Sequence, residues 1–222
     1  MATVDSLGYP NKSHRKKVRL PEHSELLAEF FGIMMGDGGI NNNWQANISI
    51  NSITDAAYAI RIVEMIETLF KIRPSQFKRK ERNCIRIVIS STTIVDFLVE
   101  HGLVRGNKLK NGLSIPSWIL ENPQYKAACL RGLMDTDGCL YTHKHSIAGQ
   151  KYKNIGLCFS SYSTKLLYQV AIIFEEFGIM PHIGTNGTSI YLYRADAVTK
   201  YLDVFGTSNE RISSVYEVWR RG

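Results

Sequence analysis

Residues 30–38 read FFGIMMGDG and residues 130–138 read LRGLMDTDG. Each is an apolar run with glycine at its third position, closed by Asp-Gly. The runs suit buried helices, and the closing glycine readily takes the left-handed conformation that ends one. Two such stretches one hundred positions apart imply two half-domains packed helix against helix. Gly32 and Gly36, and Gly132 with Thr136 a turn later, offer small surfaces where two backbones can come close. That approach would bring Asp37 and Asp137 to one point.

Working outward, the same order of elements follows both stretches. Ser24 can cap a helix over 25–36. Residues 45–51 alternate polar and apolar, as in a half-buried strand. Ala56, Ala59, Ile60, Val63, Ile66 and Phe70 form a helical stripe. A hairpin over 75–80 and 84–90 and a helix over 93–101 complete the half. The second half repeats this with a helix over 125–136, strands over 139–145 and 153–160, a helix over 163–177, a hairpin over 182–193 and a helix over 195–205. An offset of 104 pairs Ile94 with Val198, Phe97 with Tyr201, Leu98 with Leu202 and Gly102 with Gly206. The expected fold class is α+β: two pseudo-symmetric αββαββα repeats forming a saddle of two antiparallel sheets, with helices on one face. The expected division is a basic arm over 1–22, a first repeat over 23–105, a linker over 106–122 and a second repeat over 123–222.

Bulk properties restrict the function class. The 222 residues carry a net charge of +7, which favours a polyanionic partner because phosphate neutralisation dominates nucleic-acid affinity. Cys84, Cys129, Cys139 and Cys158 have no CxxC spacing, so neither a zinc site nor a disulfide framework is indicated. They read as reduced thiols in an intracellular, non-secreted protein of the cytoplasm, nucleoid or an organelle matrix. No membrane span and no secretory signal are expected. The basic arm, with Lys12, His14, Arg15, Lys16, Lys17 and Arg19, reads equally as a solvated tail or a DNA-contacting arm.

Asp37 and Asp137 follow apolar helices, where exposed carbonyls already carry partial negative charge. A carboxylate there asks for a cation, unless it merely caps the turn. Two such ends side by side suit Mg²⁺, which takes carboxylate, water and phosphate oxygens. In a basic protein, that arrangement points to a metal-dependent cut in a two-stranded polymer. Strand parity supplies a candidate DNA-reading face. If Ile48, Ile50, Phe77, Ile85, Ile87 and Ile89 point to the helices, then Gln45, Asn47, Ser49, Asn51, Gln76, Lys78, Lys80 and Arg86 point away. Asn41, Asn43 and Arg82 extend this set along the turns. In the second half the corresponding candidates are Asn154 and Ser160, then Tyr141, His143 and His145, and Tyr191 with Tyr193. A solvated sheet face would also be polar, but these positions hold no Asp or Glu.

The two quoted stretches resemble the signature of the LAGLIDADG homing endonucleases, in the single-chain, two-repeat form. Leu130, Gly132, Leu133, Met134, Asp135, Asp137 and Gly138 fit that pattern; the first copy departs at Phe31 and Met35. The resemblance implies that Asp37 and Asp137 are metal-binding catalytic acids, with Gly36 and Thr136 beside them in the expected metal set. It further implies a basic catalytic residue after each half's last helix. Lys108 (or its neighbour Lys110) and Arg211 are the candidates. Asp135 is either a secondary acid or structural. The expected cofactor is Mg²⁺ or Mn²⁺, with Ca²⁺ binding without supporting cleavage. The implied function is hydrolysis of a long, non-palindromic duplex DNA site by a monomer, leaving cohesive ends and mobilising a host intron. The alternative is an RNA maturase or a cleavage-deficient nucleic-acid binder.

Overall fold

The computed structural model describes residues 18–79, 82–147 and 149–221, without the side chains of Arg79, His145, Ile147 and Lys151. Most of the basic arm, the Lys80 position and the His145 side chain therefore lie outside the described residues. The first repeat contains α1 (Glu25–Met35), β1 (Gly38–Asn42), β2 (Gln45–Asn51), α2 (Ala56–Phe70), β3 (Ser75–Arg79), β4 (Cys84–Ser90) and α3 (Thr92–Glu100). After a short α4 (Ser117–Leu120) come α5 (Pro123–Asp137), β5 (Gly138–Ile147), β6 (Gln150–Ser160), α6 (Thr164–Glu176), β7 (His182–Ile183), β8 (Ser189–Leu192), α7 (Ala195–Val204) and α8 (Glu210–Arg220). The αββαββα order occurs twice. The additions are α4 and α8, neither of which the sequence pattern had suggested.

Each repeat folds one antiparallel sheet, ordered β1-β2-β4-β3 and β5-β6-β8-β7. Ile48, Ile50, Ile85, Ile87 and Ile89 of the first sheet are buried, as are Ile155, Leu157, Phe159, Ile190 and Leu192 of the second. These side chains leave one face of each sheet to the helices and the other open. Among the described residues no helix is long and apolar enough to cross a membrane.

The centre of the molecule is the crossing of α1 and α5. Ser24 caps α1 by accepting from the Leu27 amide, and Asn122 caps α5 by accepting from Gln124 and Tyr125. From Leu27 to Met35 every residue of α1 is buried, as expected of a helix apolar nearly all round. The crossing is close because of two glycines. A Cβ on Gly32 would stand 2.1 Å from the Cys129 carbonyl oxygen, and one on Gly132 would stand 2.2 Å from that of Glu29. These two contacts are mates under the repeat symmetry, since Gly32 corresponds to Gly132 and Glu29 to Cys129.

The flanks of the crossing are not alike. Glu29, 1% exposed, accepts from Arg131 at 2.7 and 3.0 Å, from the Ser208 hydroxyl at 3.0 Å and from Arg61 at 3.4 Å. The equivalent positions on the other flank hold Cys129 and Phe31, both fully buried.

Candidate active site

The crossing brings the C-terminal ends of α1 and α5 together. A Cβ on Gly36 would meet the Thr136 side chain and stand 3.4 Å from the Asp137 carboxyl carbon. Asp37, half-buried, and Asp137, open to solvent on one side, therefore share one locality. Both carboxyls are pushed up to about 6, mainly by desolvation; for Asp37 the charge of Asp137 adds to it, while Lys108 pulls both down.

Lys108 reaches this locality because the start of the linker runs along the edge of β1. Arg105 bridges to Ile40, and the Gly106 amide donates to the Ile40 carbonyl at 2.7 Å. The Lys108 ammonium then donates to the carbonyls of Met35 at 2.8 Å and Gly36 at 2.5 Å, closing the end of α1. A cation at a helix C-terminus complements the partial charge there. Burial lowers its pKa, and the charges of Asp137 and Asp37 oppose that shift. Lys110 makes no such contact with the helix end; its amide is engaged by Asn107.

Arg211, at the start of α8, does the matching work at the end of α5. It donates to the Asp135 carbonyl at 3.1 Å and the Gly138 carbonyl at 3.2 Å. Met35 and Asp135 are equivalent positions, so the two basic residues share one equivalent carbonyl. Arg211 carries a further commitment: its Nε donates to Asp55 at 2.9 Å. Burial raises the Asp55 pKa, but hydrogen bonds from Thr54, Asn209 and Arg211 outweigh it and hold the carboxyl below its ordinary value. Asp55 belongs to the first repeat, and nothing in its sequence surroundings pointed to this role.

Asp135 is 1% exposed. It accepts from the Thr207 hydroxyl and, at 2.7 Å, from the Ser208 amide. Burial and the charge of Glu29 push it up to about 6 against those bonds. Of its two sequence readings, the geometry favours the structural one.

Of the expected metal set, Asp37 and Asp137 offer carboxylates, whereas Gly36 and Thr136 have main-chain carbonyls to offer. Gly36 has only its main chain to offer, and its carbonyl is already engaged by Lys108. The Thr136 hydroxyl donates back into its own helix, to Gly132 and Leu133, as threonine often does in a helix. Among the described residues no three His, Cys, Asp or Glu side chains gather into a complete cation site. Two carboxylates of raised pKa at two negative helix ends still fit a hard cation that keeps most of its coordination for water and phosphate.

Register corrects part of the expected DNA-reading face. Gln45, Asn47, Ser49 and Asn51 do pair with Ser90, Val88, Arg86 and Cys84, placing Arg86 on the open face with them. In β3, however, Phe77 pairs with Arg86, whereas Gln76 and Lys78 pair with the inward Ile87 and Ile85. Phe77, 54% exposed, lies on the open face; Gln76 and Lys78 do not. An edge strand beyond the helices has no buried side to set its parity, so the lone aromatic misleads. Several members of the set also have structural duties. Asn47 donates to the Gly39 carbonyl, Gln45 donates to Ser90, and Asn51 accepts from the amides of Ile53 and Thr54. Asn41, Asn43 and Arg82 are exposed at turns.

In the second sheet Tyr141 pairs with Gly156, His143 with Asn154, and Cys158 with Tyr191. Tyr141, His143, Asn154, Ser160 and Tyr191 thus share one open face rather than two. The Tyr141 ring occupies the space a Cβ on Gly156 would need. Tyr193 stacks on Tyr191 with ring centroids 5.2 Å apart, and His182 lies 5.4 Å from Tyr193.

The chain resembles the single-chain LAGLIDADG homing endonucleases: residues 124–219 match the family model of the LAGLIDADG-like domain, and both repeats together have the endonuclease fold. The I-LtrWI LAGLIDADG homing endonuclease bound to target DNA superposes with a TM-score of 0.61 at 11% identity, over 89% of each chain. I-DmoI in complex with DNA and Mn gives 0.55 at 16% identity, over 83% of this chain and 97% of that one. Full-length DUF199/WhiA from Thermatoga maritima gives 0.57 at 15% identity, over 92% and 63%. The tRNA-splicing ligase RtcB of Pyrococcus furiosus is 30% identical over 129 residues, 55% of this chain but 12% of that protein. The chain therefore spans a small part of that relative's length.

Proposed function

We propose that this chain is a site-specific endonuclease that hydrolyses both strands of a long, non-palindromic DNA duplex with divalent metal. The observation that carries this reading is the meeting of Asp37 and Asp137 at the joined ends of α1 and α5. Asp37 and Asp137 would hold the metal, which when bound supplies Lewis-acid stabilisation of the phosphate and a more acidic water. Lys108, held against the α1 carbonyls, would face the scissile phosphate and stabilise its developing charge. Arg211 is tied to Asp55 and would chiefly fix the end of α5. The two open faces would lie in the major groove, each on its own half-site. They carry different side chains, which suits a target without a palindrome. Mg²⁺ as the metal, cohesive ends and mobilisation of a host intron complete the proposal by resemblance.

A second reading, nucleic-acid binding without cleavage as in a maturase, rests on the aromatic character of the second face. Tyrosines and histidines suit stacking on unpaired bases. The occurrence of the fold in DUF199/WhiA is a reminder that fold alone does not assign cleavage. The deciding experiment offers the protein a randomised duplex library with Mg²⁺ or with EDTA and sequences the ends. Metal-dependent cutting at one long motif, lost in Asp37→Asn and Asp137→Asn, supports the endonuclease. Metal-independent binding with a preference for structured RNA supports the second reading and defeats the first.

A further inference from the structure

The four cysteines are free thiols, widely spaced in the sequence. The register of the second sheet nevertheless sets Cys139 of β5 directly opposite Cys158 of β6. Both lie on the open face, because their strand neighbours Leu140, Leu157 and Phe159 are buried against the helices. Cys139 is exposed and Cys158 is half-buried. Directly opposed residues hold their Cβ atoms about 4.5–5.5 Å apart, and a disulfide takes roughly 3.5–4.5 Å. A small inward movement closes that gap.

Neither sulfur is held elsewhere. Cys139 Sγ lies 3.9 Å from the Leu140 carbonyl and Cys158 Sγ lies 3.6 Å from the Ser160 hydroxyl, weak contacts for sulfur that rotation about χ1 gives up. The other two thiols do not compete. Cys129 is fully buried in the helix crossing, and Cys84 sits on the first sheet opposite Asn51.

We propose that Cys139 and Cys158 form a reversible disulfide site that reacts with small-molecule disulfides, oxidised glutathione being the probe. The exposed Cys139 sulfur attacks one glutathione sulfur, breaking that S–S bond and releasing one glutathione thiol. Cys158 then attacks the Cys139 sulfur of the mixed disulfide and releases the second. Two protein thiols are oxidised, one disulfide is reduced, and the two thiol protons leave on the glutathiones. The bridge closes the base of the β5–β6 hairpin, in a row that runs Cys139, Cys158, Tyr191, His182 across the sheet. This row begins two residues after Asp137. The proposal stands independently of the endonuclease reading, because its chemistry needs neither metal nor DNA.

The test treats the full chain, native and in buffer, with oxidised glutathione and maps its peptides without reduction. The expected product has lost two hydrogen atoms, yields one linked peptide joining residues 139 and 158, and reverts with dithiothreitol. Cys84→Ser should form the same bridge, whereas Cys139→Ser and Cys158→Ser should stop at single glutathione adducts or remain unmodified. Three results would overturn the proposal: wild-type adducts that never resolve to a bridge, no reaction at either thiol, or bridging that requires denaturant.

Discussion

The ends of α1 and α5 answer the same electrostatic need with different means. At α1 a lysine from the linker closes the helix, and position 35 is a buried methionine. At α5 an arginine from α8 closes it, and position 135 is a buried aspartate bonded to Thr207 and Ser208. Arg211 is further held by Asp55, while among the described residues Lys108 has only carbonyl hydrogen-bond partners and lies within the charge of both acids. The backbone has kept the repeat symmetry, and the side chains have divided the labour. The first end keeps its lysine beside both acids, and the second is anchored by a polar network that crosses between repeats.

The largest expected effect comes from breaking the crossing that both ends depend on. Gly132→Val places side-chain atoms against the Glu29 carbonyl, where backbone cannot yield, and should cost at least about 3 kcal/mol. Gly39→Ala, whose nearest neighbour would be 3.8 Å away, should leave the denaturation midpoint nearly unchanged. Equal losses at both positions would show that the close approach is unimportant.

Exchanging the two unlike positions sharpens the comparison. Met35→Asp buries a carboxylate without the Thr207 and Ser208 partners and should cost about 3 kcal/mol. Asp135→Met leaves the Ser208 amide without an acceptor and the Thr207 hydroxyl with only the Asn209 carbonyl at 3.4 Å, at about 2 kcal/mol. Urea titration of each variant checks the order; a neutral Asp135→Met would deny Asp135 its anchoring role.

A smaller effect, of opposite sign, is expected at the acids themselves. Asp37 and Asp137 are raised from 3.8 to about 6 in the folded protein, so the native state binds protons more tightly than the unfolded one. Metal-free stability therefore falls as pH rises through about 4 to 6, and the full penalty remains above that window. Asp137→Asn should melt a few degrees above wild type at about pH 8, and the two should converge below about pH 4. Adding Mg²⁺ at the higher pH should stabilise wild type and not the variant. Thermal melts with and without metal measure both.

Much of this was legible in the sequence, because burial writes periodicity. The stripes of α2 and α6 and the alternation of β2 are direct records of which side meets the core. The paired Asp-Gly ends located the acids, and the resemblance pointed to Lys108 and Arg211 after each half's last helix. What escaped had no such record. β1 is glycine and asparagine around a single isoleucine, too little apolar sequence to show a period. β3 is an edge strand, so Phe77 could lie on the open face. α8 buries only Ile212 fully, and its cap at Asn209 looked like ordinary loop. Asp55 and the opposed cysteines are defined by a contact between repeats and by register, which no single stretch of chain contains.

The unlike flanks of the helix crossing have a consequence for ancestry. In a pair of two first repeats, each Glu29 would face the position of Phe31; in a pair of two second repeats, each Arg131 would face that of Cys129. Either pairing removes the Glu29–Arg131 ion pair, leaving Glu29 only Arg61 of its own repeat and Arg131 only the Phe205 carbonyl. A duplicated gene that has reached this state loses its central ion pair if it sheds one half and relies on self-association. The join between the repeats has thus become a ratchet, and each half is free to diverge further only because neither can leave.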